Sequence, residues 1–172
     1  KEAKAFRDGL APVNTAAAKA PWGFINEHGK MAIQPQFDGA GVFSEGQAPV
    51  LIDGKWGYIN KSGKFIINPQ YDKALPFSDK LAAVRTGQKW GYINTAGRTI
   101  AKPQYTAAAS FSGGYAAASI NGREWEYING KGEKAGMAAG RYLGDYVPPD
   151  VRLNLAHNPQ VPYSFYNMTS NY

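Results

Sequence analysis

Cysteine is missing from this 172-residue chain, which excludes disulfides, thiolate metal sites and a cysteine nucleophile. Histidine is scarce. His28 and His157 stand far apart in sequence, each without a second histidine close by, so neither metal-ligand spacing nor a histidine-based catalytic pair is legible. No apolar run approaches the length needed to cross a membrane, so no spanning helix is expected. Basic residues outnumber acidic ones, 19 Lys and Arg against 13 Asp and Glu, for a formal charge of +6. Yet no four basic residues run together and no nucleic-acid reader motif is present. Nucleic acid is therefore not favoured as a partner, whereas another anionic polymer or partner stays open. The chain opens on Lys1 and not on Met, as expected of a signal-cleaved, proteolysed or trimmed chain.

What the chain has in quantity is repetition. Trp22, Trp56, Trp90 and Trp125 are spaced by 34, 34 and 35 residues, and they open the stretches WGFIN, WGYIN, WGYIN and WEYIN. A fixed period of this length marks a stacked, modular architecture. A second element precedes each tryptophan: FRDGLAPV at Phe6, FSEGQAPV at Phe43, FSDKLAAV at Phe77 and FSGGYAAA at Phe111. Phased on these phenylalanines, four repeats begin near residues 6, 43, 77 and 111. The longer first spacing places extra residues between Asn14 and Ala20, at a turn.

Within a repeat the signals are those of strands and hairpins. LAAVR, TGQ and KWGYIN alternate apolar runs with turn residues. Asn26 to Gly29, Asn60 to Gly63, Asn94 to Gly97 and Asn129 to Gly132 each place an Asn that caps a turn three residues before a Gly, so a second hairpin follows. Pro35, Pro69 and Pro103 are expected to stop the third strand. Gly23, Gly57 and Gly91, inside a strand, imply a bulge or close packing of a neighbouring ring against the backbone. Glu126 replaces this glycine in the fourth repeat, which also lacks the PQ(F/Y) segment and reads as a degraded terminal unit. The fold class expected is all-β: about four three-stranded hairpin or meander units in a solenoid or curved superhelix, with a propeller-like closed ring as the alternative. Residues 1–139 form the array and residues 140–172 an extended Pro- and Tyr-rich tail.

The pattern from Trp56 through Gly57, Tyr58, Ile59, Asn60, Gly63, Lys64, Pro69, Tyr71, Asp72, Ala74, Phe77 and Ser78, repeated from Trp90 to Tyr105, resembles the bacterial WG repeat, also called the KWG repeat. The likeness covers about Phe6 to Gly132. It implies a β-hairpin array in a bacterial protein, often exported or surface-associated and without assigned catalysis. Extracytoplasmic localisation is the corresponding expectation. A weaker likeness to choline- and glucan-binding repeats departs in period, since those units are nearer twenty residues.

Function is therefore sought among repeated surface residues and the tail. The tryptophans are expected to form core. Tyr58 and Tyr92, two positions further along the same strand, are read as half-exposed interaction candidates. Lys30, Lys64 and Arg98 follow the turn glycines and are expected to form a cationic row. The tail supplies Tyr142, Tyr146, Tyr163, Phe165 and Tyr166, too many rings for an inert linker. Asp38 and Asp72 recur at one repeat position, which points to turn capping, because catalysis needs unlike groups converging on one point. The expected function is a non-enzymatic scaffold for protein interaction, assembly or self-association, with no cofactor. The alternative is a cell-wall or surface-glycan module that uses exposed aromatics and the Lys/Arg row.

Overall fold

The computed structural model describes residues 2–14 and 21–138, and every regular element among them is a strand. They form four antiparallel sheets. Contacts divide the chain into two compact halves, 1–77 and 78–172. In the first half, β1 (Glu2–Ala3), β2 (Leu10–Asn14), β3 (Trp22–Asn26) and β4 (Met31–Phe37) lie in that order, followed by a sheet of β5 (Gly39–Ala40), β6 (Gln47–Ile52), β7 (Lys55–Asn60) and β8 (Phe65–Tyr71). The short β9 (Lys73–Ala74) ends this half. In the second half, β10 (Leu81–Thr86), β11 (Lys89–Asn94) and β12 (Thr99–Tyr105) pair in sequence. The last sheet holds β13 (Ala107–Ala108), β14 (Tyr115–Ser119), β15 (Trp125–Asn129) and β16 (Lys134–Ala138).

The three strands expected per repeat are present, and a two-residue strand before each Phe element joins them. This moves the start of the second repeat from Phe43 back to Gly39 and that of the fourth from Phe111 back to Ala107. The element at Phe43 is a tight turn, in which Ser44 and Gln47 exchange backbone hydrogen bonds. Ser78 and Leu81 exchange the same pair in the third repeat, and Ser112 and Tyr115 in the fourth. Each Asn-x-x-Gly turn forms as expected. Asn60 Oδ1 accepts from the N–H groups of Ser62 and Lys64, and Gly63 takes φ +82°.

The central strands are buried in runs and do not alternate. Ala82, Ala83 and Val84 of β10, and Ala116, Ala117 and Ala118 of β14, are all at most 2% exposed. Strands covered on both faces lose the period-2 pattern, and small alanines let neighbouring layers come close.

Proline does not stop the third strand. Pro35, Pro69 and Pro103 lie inside β4, β8 and β12. These are outer strands, where a missing N–H removes no ladder bond. Their pairing carries a wide irregularity: Trp56 faces Tyr71 and Tyr58 faces Ile67, so two residues of β7 span four of β8. Gly57 sits opposite this bulge. A Cβ there would lie 2.5 Å from the Ile67 carbonyl oxygen and 2.7 Å from Pro69 N, and Gly91 would meet Ala101 O at 2.5 Å. The neighbour is backbone and not a ring. In the fourth repeat Trp125, Glu126 and Tyr127 pair regularly with Ala138, Met137 and Gly136. Without proline and bulge, the glycine is no longer required and Glu126 fits.

Gly57→Ala and Gly91→Ala are therefore expected to cost at least about 2 kcal/mol each, since neither contacting backbone can move freely. Gly136→Ala, where a Cβ meets nothing within 4 Å, should change stability by less than about 0.5 kcal/mol. Urea unfolding of the three variants checks this contrast.

Candidate interaction surface

The aromatic rings point inward and bind repeat to repeat. Phe24 meets Phe43 edge-on with centroids 5.0 Å apart, Tyr58 meets Phe77 at 4.7 Å, and Tyr92 meets Phe111 at 5.0 Å. In each pair the ring two residues after a tryptophan packs on the phenylalanine of the following Phe element. All six rings are at most 1% exposed. The tyrosines add a polar lock: Tyr58 OH donates to the Leu75 carbonyl at 2.7 Å, and Tyr92 OH to Ala109 at 2.8 Å. Tyr58 and Tyr92 are thus corrected from half-exposed candidates to core residues. The face they share is covered by a ring nineteen residues further along the chain.

The tryptophans differ among repeats. Trp90 and Trp125 are buried, whereas Trp22 and Trp56 are partly exposed. Lys4 lies over the Trp22 ring at 5.0 Å and Arg85 over Trp90 at 6.0 Å, both within cation–π range.

Other repeated polar groups also serve the frame. Ser44 Oγ donates to the Phe77 carbonyl at 2.7 Å and Ser78 Oγ to that of Phe111 at 2.6 Å. Asp8 accepts from the Gly46 N–H and Asp79 from the Gly114 N–H. Asp38 accepts from the Asp53 N–H at the hairpin tip, as a turn cap does. Asp72 pairs with Lys55.

Lys30, Lys64 and Arg98 are exposed, as expected, and hold one position in three repeats. Their backbone N–H groups bond the turn asparagines, which fixes where each side chain leaves the surface. Glu133 takes this position in the fourth repeat, with its N–H on Asn129 Oδ1. The cationic series therefore ends in a carboxylate. Tyr142, Tyr146, Tyr163, Phe165 and Tyr166 lie outside the described residues.

Glu126 gathers a cluster that sequence reasoning flagged only as an irregularity. Its carboxylate is 13% exposed and pairs with Lys134 at 2.8 Å. It also bonds the buried Tyr105 hydroxyl; burial, then the Glu126 charge and this hydrogen bond, push that phenol up to about 12. Ile120, Glu124, Trp125, Glu126 and Lys134 line a shallow cleft of about 90 Å³, far below the several hundred Å³ of a small-molecule pocket. Among the described residues, no group of three or more His, Asp or Glu converges as a metal site.

The model for the WG-containing repeat matches residues 22–56, 56–90 and 90–123 consecutively. The chain belongs to the WG-containing repeat family. No curated protein sequence matches it. Among solved structures, the WG-repeat chain is similar to the computationally designed protein Ika8, with a TM-score of 0.53 at 12% identity over 77% of this chain and 47% of that one. A segment of HIRA gives 0.46 at 8% identity over 76% and 50%. The WD40 β-propeller domain of Doa1 gives 0.42 at 10% identity over 75% and 50%. The chain thus spans about half the length of these structures, and the likeness to Ika8 concerns the fold alone.

Burial holds the Tyr58 and Tyr92 phenols in their neutral form, raising both from an ordinary value of 10. A raised phenol stabilises the fold fully below pH 10, the unfolded value. That contribution is lost as pH rises above 10 and on through the folded values, of which Tyr105 at about 12 is one. Alkaline unfolding with concurrent tyrosinate absorbance is expected to begin above pH 10. Absorbance that titrates fully near pH 10 with the fold intact would contradict this burial. Tyr92→Phe, which leaves the Ala109 carbonyl without its donor, should cost about 1–2 kcal/mol in denaturant unfolding.

Proposed function

We propose that this chain is a non-enzymatic scaffold that binds a protein partner through the exposed tips of its Asn-x-x-Gly turns, with Lys30, Lys64 and Arg98 as the contacting charges. The observation carrying this reading is a division of labour among repeated side chains. The rings, serines and aspartates that recur are engaged in core or frame contacts, whereas these three cations recur on turns whose backbone is already satisfied. A rigid turn spends little entropy in presenting a long cationic side chain to an anionic surface. Catalysis finds no support in such an arrangement, because repetition supplies like groups at intervals and not unlike groups at one point. An extracytoplasmic setting in a bacterium belongs to the same proposal and is tested by cell fractionation.

An acidic glycan could meet the same cations, but Tyr58 and Tyr92 no longer offer a stacking platform for sugar rings. The comparison is made with the full chain and a Lys30→Glu, Lys64→Glu, Arg98→Glu variant. Immobilised wild type is expected to retain a specific protein from source-cell extract, with retention weakened by salt and reduced at least tenfold by the triple reversal. Equal retention by both chains would sink the turn-tip reading. Response to acidic cell-wall fragments, with no protein retained, would replace the partner with a glycan.

A further inference from the structure

The four Asn-x-x-Gly turns share the same hydrogen bonds and differ in the residue that follows the asparagine, which is Glu27, Lys61, Thr95 or Gly130. In the fourth turn, Asn129 Oδ1 accepts from the Lys131 N–H at 2.9 Å and the Glu133 N–H at 3.0 Å, and its Nδ2 donates to a Glu133 carboxylate oxygen at 3.0 Å. Gly132 donates its N–H to the Asn129 carbonyl. The N–H groups of Lys131, Gly132 and Glu133 are thus all committed to Asn129, whereas that of the exposed Gly130 has no partner among the described residues. The chain's other Asn-Gly pair supplies the contrast. Asn121, at the tip between β14 and β15, is held in nearly the same way: Oδ1 accepts from the Arg123 and Glu124 N–H groups, and Nδ2 donates to the Glu124 carboxylate at 3.2 Å. Here, however, the Gly122 N–H donates to Ser119 Oγ at 2.9 Å. Ser119 is fully buried and donates in turn to the Glu124 carbonyl.

We propose that Asn129 is a site of spontaneous modification, at which the Gly130 backbone nitrogen attacks the Asn129 side-chain carbonyl and converts the turn asparagine to aspartate and isoaspartate. The new bond joins Gly130 N to Asn129 Cγ, and the Gly130 proton passes to solvent. The side-chain amide nitrogen leaves as ammonia with a proton from solvent, and water then opens the cyclic imide at either carbonyl. Negative charge that develops on Oδ1 during the attack falls between the Lys131 and Glu133 N–H groups, already at hydrogen-bond distance from it. The same cradle holds Oδ1 of Asn26, Asn60 and Asn94, but there the attacking nitrogen belongs to a residue whose side chain crowds the approach to Cγ. Gly130 removes that obstacle. At Asn121 the glycine is also present, but its nitrogen must first leave Ser119. The product undoes the cap. Isoaspartate lengthens the turn backbone by a methylene, and either product sets a carboxylate where Nδ2 donated to Glu133, so that like charges face each other.

The test incubates the full chain at mildly alkaline pH, folded and in urea, and follows peptides that contain Asn60, Asn121 and Asn129 by mass spectrometry. An endoprotease that cuts before aspartate but not before isoaspartate separates the two products. In the folded chain Asn129 is expected to convert at least about fivefold faster than Asn121, the factor contributed by one net hydrogen bond on the Gly122 nitrogen. In urea, where that bond is gone, the two rates should agree within about twofold. Gly130→Lys, which copies the second repeat's turn, should abolish conversion at Asn129 and leave Asn121 unchanged. Equal rates at Asn121 and Asn129 in the folded chain would overturn the assignment, as would conversion at Asn129 no faster than at Asn60. A difference between Asn129 and Asn121 that persists in urea would also overturn it, since the cause would then be local sequence and not the folded turn. Should Gly130→Lys not fold, the wild-type comparison of Asn129 with Asn121 and Asn60 decides.

Discussion

The first three repeats each depend on burying one ring under the phenylalanine of the next. Phe24, Tyr58 and Tyr92 have no cover within their own strands; Phe43, Phe77 and Phe111 supply it. A single repeat is thus incomplete, which is why the unit recurs and why its two signatures, the tryptophan stretch and the Phe-Ser turn, recur together. The tyrosine hydroxyls and turn serines direct hydrogen bonds to carbonyls of the covering segment, so the same interface is fixed in register as well as buried. Aromatic area does the work that an Ala-rich chain cannot otherwise supply.

A second constraint links glycine, proline and bulge. Opposite Gly23, Gly57 and Gly91 the outer strand carries a proline and takes four residues to span two. Proline on an outer strand, with its missing donor and the local irregularity, also blunts that edge against adventitious pairing. When the fourth repeat drops the proline, it drops the bulge and the glycine with it, and Glu126 enters with Lys134 and Tyr105 as partners. Three departures from the repeat are thus one structural change.

Much of this was legible in the residues. The period, the Asn-capped turns, the all-β character and the close approach at the glycine followed from local rules of spacing, capping and backbone geometry. Proline misled, because a chain breaker within a strand and a tolerated residue on its outer edge look alike until sheet order is known. Tyr58 and Tyr92 misled for a related reason: alternation along a strand says which residues share a face, but not what covers that face, and here the cover comes from the following repeat. Of the candidate surface, Lys30, Lys64 and Arg98 were readable because a turn position is decided locally. The Glu126 cluster was readable only as an irregularity, since Tyr105 reaches it from another sheet.

The ring pair that joins successive repeats can be measured by a double-mutant cycle on Tyr92 and Phe111, with leucine at each position and both, followed by urea unfolding. The account predicts that the two substitutions are coupled, with an interaction energy of about 0.5–1.5 kcal/mol and the double variant less destabilised than the sum of the singles. Strict additivity would mean that the rings are independently buried, and would contradict the claim that each repeat is held by the next.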